Sequence, residues 1–119
     1  MSKAVLTVDD SASIRETIAF TLEAEGFEVV GAEDGSKGLS EVERRRFDLV
    51  ITDLNMPVMD GFDFIRAVRA GGNHVPIIML TTESQPEKKA EGKAAGATGW
   101  LNKPFDEAML IGIAKKLVG

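Results

Sequence analysis

Five short apolar, β-branched runs punctuate the chain: AVLTV at 4–8, FEVVGA at 27–32, DLVITD at 48–53, PIIMLT at 76–81 and ATGWLN at 97–102. They recur roughly every 20 to 28 residues, and the stretches between them carry helical periodicity. The first predicted helix covers about 12–25, where Ile14, Ile18 and Leu22 fall on one face and Gly26 acts as the stop. Others are expected near 35–46, 61–70, 86–95 and 105–118, the last with Leu110, Ile113 and Leu117 facing inward. The strands are too apolar for a sheet with one wet face. A parallel sheet covered on both sides by helices satisfies them, which makes the expected class α/β, a doubly wound five-stranded (βα)5 domain.

Composition narrows the function classes. The 119 residues match one ordinary domain, so residues 1–119 are read as a single unit. With 44% hydrophobic and 28% charged residues the chain has a globular rather than a disordered composition. The absence of cysteine removes disulfides and thiolate metal sites. No apolar run approaches the roughly 18 residues of a membrane span and no signal-peptide pattern opens the chain, so a cytoplasmic protein without membrane attachment is expected. A net charge of −5 argues against general nucleic-acid binding, and no DNA partner is expected. The basic run Arg44–Arg46 falls at a predicted helix end, where cations suit the dipole.

In open α/β sheets the functional groups gather at the carboxyl ends of the strands. There the sequence places Asp9 and Asp10, then Asp53, Thr81 and Lys103. Alone, the adjacent acids would read as a helix cap and its neighbour. Three clustered carboxylates are another matter: two unit charges about 4 Å apart interact by roughly 4 kcal/mol at an effective dielectric near 20. Such a cluster is strained unless a cation joins it. Oxygen donors without His or Cys favour Mg²⁺, which takes one or two carboxylates and leaves positions for phosphate oxygens.

With the motifs VDDS, DLVITDLNMPVMDG, IIMLTTES and GATGWLNKPF in this order, essentially the whole chain resembles the receiver domains of two-component response regulators, in particular the stand-alone chemotaxis (CheY-like) receivers. The resemblance implies a flavodoxin-like sheet of strand order 2-1-3-4-5. It makes Asp53 the phosphoryl acceptor, with Asp10 a direct Mg²⁺ ligand, Asp9 acting mainly through metal-bound water, and the Asn55 backbone carbonyl the third protein ligand. Lys103 would neutralise phosphoryl charge, and the Lys103–Pro104 bond would be cis, as is typical of the family. Thr81 would donate its hydroxyl to the phosphoryl group. Asn55 and Glu83 would tune the attacking water and favour fast hydrolysis.

Trp100 stands where many relatives carry the Tyr or Phe that turns inward with the threonine, so it is the expected switch aromatic. Its indole is larger than those rings and only donates. Helix four, PEKKAEGKAAG, offers only small apolar residues and an internal Gly92, which predicts light packing and low local stability. Asn102 is polar where an aliphatic strand residue is expected, and the sequence offers no reason for it.

The implied function is a signalling switch that takes its phosphoryl group from a sensor histidine kinase of the chemotaxis type and changes affinity for a flagellar motor switch or phosphotransfer protein. It would act as a monomer and would not be an enzyme beyond self-phosphorylation and self-dephosphorylation. A phosphorelay intermediate, or the receiver of a larger regulator, is the alternative. An aspartyl phosphohydrolase of the haloacid dehalogenase type would need D-x-D after strand one and extra chain for a cap. A nucleotide or flavin module would need a Gly-rich turn where VDDSAS stands. His74 reads as a surface residue after the helix stop GGN, and Met56 and Met59 as loop packing.

Overall fold

The computed structural model describes residues 2–118. Strands and helices alternate as β1 (Ala4–Val8), α1 (Ala12–Glu23), β2 (Glu28–Ala32), α2 (Gly35–Arg44), β3 (Leu49–Thr52), α3 (Gly61–Ala70), β4 (Ile77–Thr81), α4 (Pro86–Ala95), β5 (Gly99–Asn102) and α5 (Glu107–Val118). The strands form one parallel sheet in the order β2-β1-β3-β4-β5, the expected doubly wound arrangement.

Period-two alternation divides the core between the two faces. Leu6, Val8, Val50, Ile77 and Met79 pack with Phe62, Phe64, Ile65 and Val68 of α3. Val5, Leu49, Ile51, Ile78 and Leu80 pack with Ile18 and Leu22 of α1 and with Leu110 and Ala114 of α5. Each of the Val, Leu, Ile, Phe and Met side chains, fully removed from water, contributes about 1.5–3 kcal/mol. Ile113 and Leu117, expected to face inward, are only partly buried at the margin of this second layer. Strands β1, β3 and β4 are buried throughout, as continuous apolar runs require. The edge strands differ from that expectation: β2 leaves Glu28 and Gly31 exposed, and only Leu101 of β5 is fully buried.

Element ends follow the local hydrogen bonds. Ser11 Oγ accepts from Ile14 N at 3.3 Å, Asp34 Oδ1 from Lys37 N at 2.9 Å and Asp60 Oδ1 from Asp63 N at 2.9 Å, so α1, α2 and α3 all start on side-chain caps. Helix α5 begins at Glu107, not at 105, because Asp106 Oδ1 accepts from Ala108 N at 2.8 Å and caps the helix there. Helix α4 has Pro86 in its first turn and no side-chain cap from Gln85; it ends at Gly96, with φ +115°. That end is tied down. Arg69 donates through Nε and Nη2 to the Gly96 carbonyl at 3.1 and 2.8 Å, and through Nη1 to Asn73 O at 3.0 Å and Val75 O at 2.7 Å.

The basic run is a helix end, as expected. Arg44 pairs with Glu41, while Arg45 pairs with Glu28 at 3.0 Å and lies over the Phe47 ring at 4.9 Å. His74 is exposed, and Met56 and Met59 pack against the core. Among the described residues no helix is long and apolar enough to cross a membrane.

Candidate functional site

Parallel pairing brings the strand ends to one edge. Val8 is level with Thr52, and the Asp53 amide donates to the Val8 carbonyl at 2.8 Å, so the residues that follow β1 and β3 emerge side by side. Asp9, Asp10 and Asp53 each present a carboxylate oxygen within 4.8 Å of the others. Asp9 and Asp53 are buried and Asp10 is exposed. Lys103, immediately after β5, extends its ammonium to Asp9 Oδ2 at 2.8 Å and to Asp53 Oδ2 at 3.4 Å, with only 15% of its side chain exposed. It is therefore not a lysine lying along the surface. Its peptide bond to Pro104 is cis, as the resemblance implied.

Two of the charges are fixed by the backbone around them. Leu54 N donates to Asp53 Oδ1 at 2.8 Å, leaving Oδ2 on the Lys103 side. Asp9 Oδ1 accepts from Ser11 N at 2.9 Å. Arg15, which the sequence did not single out, reaches from α1 to donate to the Asp9 carbonyl at 2.6 Å. Gly61, the first residue of α3, is also part of the mounting. A β-carbon there would lie 2.4 Å from the Asp53 carbonyl oxygen and 2.9 Å from Leu54 Cα. Only glycine lets the helix start this close to the acidic residue.

The electrostatics follow from one ammonium serving two buried carboxylates. Burial raises the Asp53 carboxyl above its ordinary range and the negative charge of Asp9 raises it further; Lys103 and the Leu54 amide oppose the shift without cancelling it. Burial pulls the Lys103 ammonium down, but the hydrogen bond to Asp9 and the charges of Asp53 and Asp9 outweigh it and raise the group. Negative charge remains in excess at a partly buried site whose ligand atoms are all carboxylate oxygens. That donor set fits a small hard divalent cation.

Thr81 closes β4 and is fully buried; its Oγ1 accepts from Glu83 N at 3.3 Å. Glu83 is half-buried in the following loop and Asn55 is exposed in the loop after β3. Trp100 is half-buried, and its Nε1 donates to the Glu83 carbonyl at 3.1 Å. The indole lies against α4, where a β-carbon on Gly92 would sit 2.8 Å from Trp100 Cζ3. Asn102 has a partner after all: its Nδ2 donates to the carbonyls of Glu83 and Thr81.

Val58, in the loop between β3 and α3, has φ +72° and is 83% exposed. Met59 N donates to Pro57 O at 2.8 Å across it, a tight turn of a hand rarely adopted by β-branched residues. The strain there is local to the loop that follows Asp53.

Residues 5–115 match the family model of the response regulator receiver domain. The structure is similar to that of the Vibrio cholerae chemotaxis protein CheY4, with a TM-score of 0.93 and 50% identity over 98% of this chain and 99% of that one. It is also similar to the receiver domain of the Francisella response regulator 1452, with a TM-score of 0.94 and 29% identity over 98% of this chain and 97% of that one. Among curated proteins, the transcriptional regulatory protein PrrA of Mycobacterium tuberculosis is 38% identical over 98% of this chain and 50% of its own length. The DNA-binding response regulator MtrA of Mycolicibacterium paratuberculosis is 38% identical over 93% of this chain and 49% of its own length. The chain thus spans about half the length of these curated relatives. Fold, strand order, the grouped carboxylates and the family match agree: this chain belongs to the response regulator receiver domains.

Proposed function

We propose that the chain is a phosphorylation-switched signalling module in which Asp53 accepts a phosphoryl group from a phosphohistidine on a sensor histidine kinase. The reading rests on one observation above all: a buried carboxylate, anchored through one oxygen by Leu54, stands beside Asp9, Asp10 and the Lys103 ammonium. Its Oδ2, not held by the Leu54 amide, is the oxygen left to attack phosphorus.

In the transfer, an Asp53 oxygen attacks phosphorus in line and the phosphorus–nitrogen bond to the donor imidazole breaks, its electron pair staying with the ring. Lys103 offsets charge on the phosphoryl oxygens. The Thr81 oxygen already accepts the Glu83 amide, so its proton is free to be donated to the incoming group. Hydrolysis ends the state: a water oxygen attacks phosphorus, the bond to Asp53 breaks, and inorganic phosphate and the free carboxylate result. Asn55 and Glu83 tune that water, and Trp100 follows Thr81. Asp9, Asp10, Asp53 and the Asn55 backbone carbonyl would hold Mg²⁺, which when bound neutralises the phosphoryl oxygens. The activity is confined to this self-phosphorylation and self-dephosphorylation in the cytoplasm.

For the output, identity of 50% with CheY4 over nearly the whole of both chains supports a stand-alone chemotaxis receiver, acting as a monomer on a flagellar motor switch or phosphotransfer protein. The half-length match to PrrA and MtrA supports a second reading, the receiver of a longer transcriptional regulator. Incubation with Mg²⁺ and acetyl phosphate should add one hydroxylamine-sensitive phosphoryl group to the parent and none to Asp53→Asn. Equal labelling of the variant would overturn the assignment. Capture of the flagellar switch protein by the phosphorylated parent, but not by Asp53→Asn, would separate the two outputs.

A further inference from the structure

Strand β5 ends in a side chain for which the acceptor chemistry has no use. Asn102 is level with Thr81, and its Nδ2 donates to Glu83 O at 2.7 Å and to Thr81 O at 3.2 Å. The opposite orientation of the amide would set its oxygen against two carbonyl oxygens, so chemistry fixes the placement of the NH₂ group. The two carbonyls flank Thr82, and the amide therefore staples the chain as it leaves β4. Trp100 Nε1 reaches the same Glu83 carbonyl at 3.1 Å. A carbonyl oxygen has two lone pairs, and here two β5 side chains use both. Across the same short turn the Glu83 amide donates to Thr81 Oγ1 at 3.3 Å.

We infer that Asn102 is a positioning residue: its carboxamide, with the Trp100 indole, latches the segment between β4 and α4 through the Glu83 carbonyl and holds Thr81 and Glu83 in one arrangement before any phosphoryl group arrives. Two consequences follow. The indole is engaged already in the unmodified protein, so its rotation would break a hydrogen bond rather than leave an open rotamer. The rate at which the acyl phosphate is hydrolysed depends on Asn102, because Thr81 and Glu83 border the attacking water; this second consequence rests on the acceptor role proposed for Asp53. An aliphatic residue at 102 would suit the strand pattern equally well and would donate to neither carbonyl.

The test compares the parent with Asn102→Val and with Asn102→Asp, which keeps the shape of the side chain and loses the NH₂ donor. Trp100 is the only tryptophan, so its emission reads this site alone. In the unmodified, metal-free protein, acrylamide should quench that emission about twofold more efficiently in both variants, reflecting an indole no longer latched. After loading with acetyl phosphate and Mg²⁺, loss of the phosphoryl group should slow about fivefold in Asn102→Val, the worth of one ordinary hydrogen bond. Its Mg²⁺ titration should match the parent's. Parent-like quenching in both variants overturns the latch, and increased quenching with unaltered hydrolysis overturns the role in lifetime. If the parent itself takes no label, the acceptor reading fails and the lifetime role falls with it, while the quenching comparison still decides the latch.

Discussion

Strands β1, β3 and β4 are buried along their whole length, whereas α4 buries only Gly92 and Ala95 and β5 is fully buried only at Leu101. The first region carries Asp9, Asp53 and Thr81 at its end; the second leans against it through Trp100, Asn102 and one shared carbonyl. The contrast shows how one small fold divides its labour. Charges that must sit a few ångström apart are mounted on strands that cannot shift without opening the core. The neighbouring flank is held by hydrogen bonds and small residues, which is the composition of a segment whose local opening costs little.

The largest effect is expected at Phe64 of α3, whose ring is fully buried against the sheet and α2. Phe64→Ala should cost about 3–5 kcal/mol in urea denaturation, through lost burial and the cavity left behind. A loss no larger than that of an α4 substitution would remove the distinction between platform and flank.

A smaller effect of opposite sign is expected within the platform. Burial and Asp9 raise the Asp53 carboxyl, so its ionised form is disfavoured in the folded chain. The penalty operates above that raised range and disappears as pH falls below the ordinary carboxylate range. Asp53→Asn should therefore stabilise the metal-free protein by roughly 1 kcal/mol at neutral pH, with no gain in acid. Urea midpoints at the two pH values check both statements, and an unchanged midpoint at neutrality would show that Lys103 offsets the carboxylates fully.

The smallest effect on stability belongs to the flank. Gly92→Ala gains about 1 kcal/mol of helix propensity. Its new methyl would also stand 2.8 Å from Trp100 Cζ3. In a loosely held region the indole gives way, so the net change should stay below about 1 kcal/mol while the Trp100 emission maximum shifts. A multi-kcal loss would mean that the flank packs as tightly as the core.

The platform was legible in the sequence because its signals are local and redundant. Apolar β-branched runs announce the central strands, and a carboxylate or ammonium directly after such a run has few structural uses. Edges were less legible, since FEVVGA breaks its apolar run only at Glu28 and Gly31, and only the sheet order reveals that one side of β2 has no neighbour. The start of α5 was displaced because an aspartate's capping bond depends on geometry two residues ahead. Asn102 gave no reason for itself because its two acceptors are backbone carbonyls 19 and 21 residues away, atoms that every residue possesses. Arg15 carries no signal in the sequence on the same ground: its acceptor is the Asp9 carbonyl, not a charged partner. Val58 was hidden differently, because the residue types that adopt positive φ readily are glycine and asparagine, and valine is neither.

The Arg69 guanidinium, bonded to the carbonyls of Gly96, Asn73 and Val75, pins one end of α4, while the other end at Pro86 lacks a side-chain cap. In mechanical terms α4 is an arm with a fulcrum. Ten residues give it a length of about 15 Å, and a tilt of roughly 10° about Gly96 would carry the Pro86 end about 2.5 Å while Ala95 barely moves. The end at Pro86 is the one joined, through the latched Glu83 segment, to Thr81, so a tilt of α4 about Gly96 would have its largest amplitude next to the strand ends that hold the charges.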